Sequence, residues 1–202
     1  MIAANSRSGT WLAAPLLALV AATAHAEVAR YQLDPDHLAI GFLVDHIGYA
    51  KTLGLFRKAS GSFSYDAASG QLSELKVVIE ASSVFTNQDA RDGHLRGKDF
   101  LDVARFPRLV FTASGARRNG DRDFVIEGQL EMLGQKRPVS LRATLNKSER
   151  SPIGPLMLKP WVAGVSARTR IKRSDFGMTY GVVNGWVGDE VEVIIELEAK
   201  RQ

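Results

Sequence analysis

The sequence predicts an all-β protein, an antiparallel barrel of about eight strands with one short helix around residues 87–103. Three observations carry this. Alternation of apolar and polar residues recurs along most of the chain beyond residue 27, as in Val191, Val193, Ile195, Leu197 and Ala199 against Glu190, Glu192, Glu196 and Glu198, and such two-sided strands belong to antiparallel sheets. The alternating runs are joined mostly by tight-turn residues rather than by helix-length segments. Residues 86–106 form the single long stretch without period two. A sheet with one apolar face must close on itself or meet a second sheet. With about eight strands, closure gives a barrel whose interior holds side chains or one small ligand.

The first 26 residues stand apart. Arg7, the apolar run 11–22 and Ala24-His25-Ala26 have the form of a secretory signal peptide over 1–26, which leaves a mature domain at 27–202. The run is short for a membrane span. One Arg precedes it and no Cys follows it, which argues against the twin-arginine route and a lipidated N-terminus. The expected location is the periplasm, with no transmembrane segment after cleavage.

Within the domain, 27–33 alternates and Asp34-Pro35-Asp36 reads as a turn. Residues 37–47 read as a strand or a short irregular element, and 53–66 as one strand with Gly61, Phe63 and Tyr65 on one face. A turn at 67–70 leads to a hairpin partner at 75–84. Thr86 followed by Asp89 has the capping-box form that opens the helix, and Pro107 ends the segment. Leu109 and Phe111 then share a face, as do Phe124, Ile126, Gly128, Leu130 and Met132, with Asn119-Gly120-Asp121 as the turn between these runs. Val139, Leu141, Ala143 and Leu145 form the next inner face. Residues 148–160 read as a proline-containing loop, 161–172 as a strand, 173–188 as a long irregular excursion, and the glutamate-flanked run as the last strand.

Composition narrows the chemistry. A chain 45% apolar and 24% charged is ordinary for a globular domain large enough to bury a core. The absence of Cys removes disulfides, thiol nucleophiles and thiolate metal sites. Loss of Arg7 with the signal leaves 25 of the 26 basic residues against 22 acids, a net +3. That mild balance in an exported protein argues against nucleic acid, while transient contact with an anionic membrane surface stays open. The mature chain has His37, His46 and His94 and no HExxH, GxSxG or phosphate-loop pattern. The sequence therefore offers no motif for an enzyme or a metal site, and neither cofactor nor metal is expected.

The inward list mixes large groups (Phe63, Phe111, Phe124, Met132) with small ones (Gly61, Ala113, Gly128, Ala143, Ala167). Periodicity alone leans toward a solid core of large groups beside small ones. The other reading is an apolar cavity for an apolar ligand. Polar groups near strand ends include His37, Arg91 and His94. Each could hold a ligand's head group. Arg91 could instead pair with Asp92, Asp99 or Asp175, and His37 could fix the Asp34–Asp36 turn.

The order of several motifs resembles the YceI-like family of exported proteins. They are Leu33-Asp34-Pro35-Asp36-His37, Arg91-Asp92-Gly93-His94-Leu95, Asp99-Phe100-Leu101-Asp102-Val103, Phe106-Pro107 and Arg173-Ser174-Asp175-Phe176-Gly177-Met178. The resemblance spans nearly all of 27–200. It implies a lipocalin-like barrel and an elongated apolar lumen that binds a polyisoprenoid, isoprenoid quinone or similar long-chain amphiphile, often in a homodimer. It moves the balance from solid core to open lumen. The expected lumen residues are Phe42, Phe63, Phe111, Phe124, Ile126, Met132, Leu141, Val165 and Ile171, with His37, Arg91 and His94 as candidates for the polar head. Two other classes remain: an enzyme on a lipid or quinone intermediate using Asp and His at the rim, and a structural protein with a filled core.

Overall fold

The computed structural model describes residues 28–154 and 159–202. Residues 1–26, expected as a signal peptide, lie outside the described residues. Among the described residues eleven strands follow in order: β1 (Ala29–His46), β2 (Ala50–Phe56), β3 (Ala59–Asp66), β4 (Gln71–Glu80), β5 (Val84–Phe85), β6 (Arg108–Ala113), β7 (Arg117–Arg118), β8 (Asp123–Met132), β9 (Gln135–Arg150), β10 (Trp161–Lys172) and β11 (Val187–Arg201). One α-helix, α1 (Asp89–Arg96), lies between β5 and β6. The eight strands β1, β3, β4, β6, β8, β9, β10 and β11 pair in that order, and β11 returns to β1, so the antiparallel sheet closes into a barrel. The short strands β2, β5 and β7 are appended to it.

The longest strand carries a phase change. Ala29, Tyr31 and Leu33 point inward before Asp34, whereas Leu38, Ile40 and Phe42 do so after His37. The β1–β11 register jumps between Leu33↔Ala199 and Leu38↔Leu197. Residues 34–37, expected as a turn, are thus a bulge inside a continuous strand. The odd offset switches the inward parity and keeps both halves of β1 facing the interior. Beyond the bulge, β1 pairs with β2 across a tight turn at 47–49, and β3 holds only its first part. The single strand expected at 53–66 is therefore two, broken at Arg57-Lys58. The strand before the proline-containing loop also runs further than expected, to Arg150.

The helix is shorter than the 87–103 expected. Its N-cap is Gln88, whose side chain accepts from the Arg91 backbone N–H, and Gly97 closes it. Thr86 makes no capping box; its backbone N–H and hydroxyl both donate to the buried carboxylate of Asp92, at 2.8 and 2.5 Å. Turns over residues 97–106 replace the expected later helical turns, with Leu101 N–H reaching Leu95 O and Phe106 N–H reaching Asp102 O.

Two apolar clusters occupy the interior. Ala29, Tyr31, Leu33, Phe63, Leu72, Ala163 and Ala199 form one. Ile40, Ile79, Val84, Leu109, Met132, Phe176 and Met178 join Phe100 and Leu101 from the segment after α1 in the other. Leu38 and Val77 pack against both. α1 and its following turns thus close one end of the barrel with side chains rather than lying on the outer wall.

Candidate functional site

Between the two clusters runs a cavity of about 270 Å3. Every one of the eight barrel strands contributes to its lining, together with Leu95, Phe100, Leu101 and Met178 from the closed end. All nine residues expected to face the lumen line it: Phe42, Phe63, Phe111, Phe124, Ile126, Met132, Leu141, Val165 and Ile171. Solid-core packing of large beside small also occurs, but in the wall. A Cβ on Gly54 would stand 2.1 Å from the Phe42 ring, and one on Gly128 would stand 2.2 Å from the Phe111 ring. These rings lie against glycine backbone, so Gly128 contributes no free lumen volume. Ala143 and Ala167 are cross-strand neighbours and both line the cavity.

The three candidate head-group residues do not line this cavity. His37 is exposed and bonded to Asp34 Oδ2 at 2.9 Å. The same carboxylate, 3% exposed, accepts from Lys200 Nζ at 2.8 Å and from the backbone N–H of Asp36 through Oδ1 at 3.3 Å. Lys200 first, then His37, hold the Asp34 carboxyl down to about 2 against the opposing effect of burial. In return Asp34 raises the pKa of His37, helped by Glu198, and that of Lys200. Asp34, His37 and Glu198 place three ligand-type atoms within 4.8 Å of one another. The ammonium of Lys200 already supplies that cluster with its cation. It is a pin across the β1 bulge.

Arg91 makes none of the three expected ion pairs. Its Nε donates to Thr86 Oγ1 and its Nη2 to Thr86 O, both at 2.7 Å, so with Asp92 it clamps the chain entering α1. His94 Nε2 bonds Asp99 Oδ2 at 2.9 Å, and its ring packs edge-on to Phe100 and Tyr180. It sits behind the wall that Phe100 presents to the cavity.

Sequence reasoning missed one polar lining residue. Arg173 is 2% exposed and is the one charged residue lining the cavity among the described residues. It opens the helical turn Arg173–Phe176 after β10. Its position in the Arg173-Ser174-Asp175-Phe176-Gly177-Met178 motif was the available signal. Burial lowers its pKa and nearby Asp189 opposes the shift, yet a guanidinium stays charged at any physiological pH.

These features define a class, a lipocalin-like closed barrel with an apolar interior. The YceI-like domain model matches residues 31–199, and the chain belongs to that family. It is 35% identical over 179 residues to a UPF0312 protein of Azotobacter vinelandii, covering 88% of this chain and 90% of that one. It is 34% identical over 189 residues to Protein YceI of Salmonella arizonae, covering 93% and 95%. Among solved structures, Burkholderia cenocepacia BcnA superposes with a TM-score of 0.70 at 21% identity, over 82% of this chain and 98% of that one. A polyisoprenoid-binding domain from Saccharophagus degradans superposes with a TM-score of 0.61 at 16% identity, over 87% and 100%. At these identities the two structural likenesses concern the fold.

Proposed function

We propose that this protein is an exported, periplasmic carrier or buffer that holds a polyisoprenoid, an isoprenoid quinone or a similar long-chain amphiphile inside the barrel. The observation that carries the reading is the cavity itself, lined by side chains of all eight strands that are apolar almost throughout. Each methylene moved from water into such a lining contributes about 0.8 kcal/mol, so a long chain offsets its own ordering cost. The polyisoprenoid-binding domain sharing this fold supports the ligand class. Binding rather than turnover is favoured because the acid–base groups expected at the rim are engaged elsewhere: Asp34 and His37 at the bulge, and His94 with Asp99. Transient contact with a membrane surface fits the exposed Ile47, Tyr49, Leu53, Val183 and Trp186, since apolar and aromatic groups of this kind favour the interface of a bilayer. No described helix is long and apolar enough to cross a membrane. A homodimer, as in the family resemblance, is part of the proposal and is tested by sedimentation.

The test is organic extraction of the exported protein, purified without detergent, followed by mass spectrometry of extract and protein. A near-stoichiometric long-chain lipid and a protein mass starting at Glu27 are expected. An empty extract, with no uptake of added prenyl lipid, would refute the carrier reading.

A further inference from the structure

The guanidinium of Arg173 is held entirely by backbone. Nε donates to Gly188 O at 2.8 Å, Nη1 to Met178 O at 3.0 Å, and Nη2 to Tyr180 O and Val187 O at 2.8 Å each. A guanidinium carries five N–H groups. Four have acceptors here, and the second N–H of Nη1 has none among the described residues.

The charge is also unpaired. No ion pair among the described residues includes Arg173, and none of the four oxygens it donates to belongs to a carboxylate. The acid that acts on it electrostatically is Asp189, whose two carboxylate oxygens are taken by the backbone N–H and the hydroxyl of Ser174 at 2.9 and 2.8 Å. The guanidinium carbon lies 5.8 Å from the centre of the Phe100 ring, and Phe100 lines the cavity as Arg173 does. Carbonyl oxygens satisfy hydrogen bonds without neutralising the charge, and a buried charge is costly until an opposite one meets it.

We propose that Arg173 receives an anionic oxygen head group, phosphate or carboxylate, at the end of the chain held in the lumen. The head then lies at the end closed by α1, and the tail runs toward Tyr31 and Phe63. This rests on the carrier reading and adds the chemistry and orientation of the ligand. Arg173 acting only as a staple for the 178–188 excursion would make binding indifferent to the head.

The experiment titrates delipidated wild-type protein with geranylgeranyl phosphate, geranylgeranoic acid, geranylgeraniol and the matched hydrocarbon. At least one anion is expected to bind about tenfold or more tighter than the alcohol and the hydrocarbon, as one charge-assisted hydrogen bond provides. The tighter of the two anions identifies the head. Arg173→Gln is expected to erase that preference while hydrocarbon binding persists. Because the variant also leaves four carbonyls short of donors, the wild type supplies a second readout: the Arg173 guanidinium 15N resonances shift on adding the anion and stay in place with the hydrocarbon. Equal affinity for all four probes, or unmoved Arg173 resonances with the anion bound, overturns the proposal. Failure of every probe, hydrocarbon included, overturns the carrier reading instead.

Discussion

Replacing Ala143 by Leu separates an open lumen from a filled core. Ala143 is 5% exposed, lines the cavity, and pairs across the sheet with Phe124 and Ala167. The substitution adds about three carbon groups at a small residue of the wall. In an open lumen they occupy space that the ligand chain would fill. Displacing about three methylenes at about 0.8 kcal/mol each costs the ligand about 2.4 kcal/mol, or a Kd weaker by about fiftyfold. The fold itself loses nothing, because the new side chain enters free volume. In a filled core the same change would overpack and destabilise the barrel by about 1–3 kcal/mol. Urea unfolding of the delipidated protein and titration with a prenyl alcohol read the two quantities separately. Unchanged stability with weakened binding is expected. A stability loss above about 1 kcal/mol with unaltered binding would show a filled core instead.

Other consequences follow from the pinned bulge, the helix entry and the glycine-backed rings. Asp34 is held down to about 2 from 3.8, so it contributes stability in full above the ordinary carboxylate range and loses it as pH falls from about 4 toward 2. Asp34→Asn should cost about 2 kcal/mol at neutral pH and flatten that acid limb in urea titrations. The same variant should return the raised His37 pKa toward 6.5 in an NMR titration; His37's own contribution has the opposite sign, present below its ordinary value and lost as pH rises through the raised one. Asp92→Ala removes the acceptor for two buried Thr86 donors and should cost about 2 kcal/mol or more, visible as faster hydrogen exchange through α1. Gly128→Leu would force the Phe111 ring and the Thr112 carbonyl away from a Cβ now only 2.2 and 2.6 Å from them, and a stability loss of about 1–3 kcal/mol is expected, in contrast to Ala143→Leu.

The barrel and its inner face were legible because they are written in period two. Each run from Leu109 to Ala199 has the expected residues inward, and the nine expected lumen residues line one cavity. What was not legible depends on partners distant in sequence. Asp34-Pro35-Asp36 carries turn chemistry whether the chain reverses or bulges; Lys200, arriving from the last strand, pins it as a bulge. Thr86 has a capping residue's form, but the clamp by Asp92 and Arg91 moves the cap to Gln88. Gly128 looked like lumen space until Phe111 from another strand was found over it. Arg173 reads as one of two adjacent basic residues, and only the fold shows its side chain turned inward beneath four carbonyls.

The most direct test of a lumen that holds a long apolar chain is affinity against chain length. Delipidated protein is titrated with a series of prenyl alcohols that grow by one isoprene unit at a time. A lumen that holds a long chain requires Kd to fall by about tenfold or more per unit, a discounted share of the burial of five carbons, until the lumen is full and the curve levels. Affinity independent of chain length from the shortest member onward would contradict it.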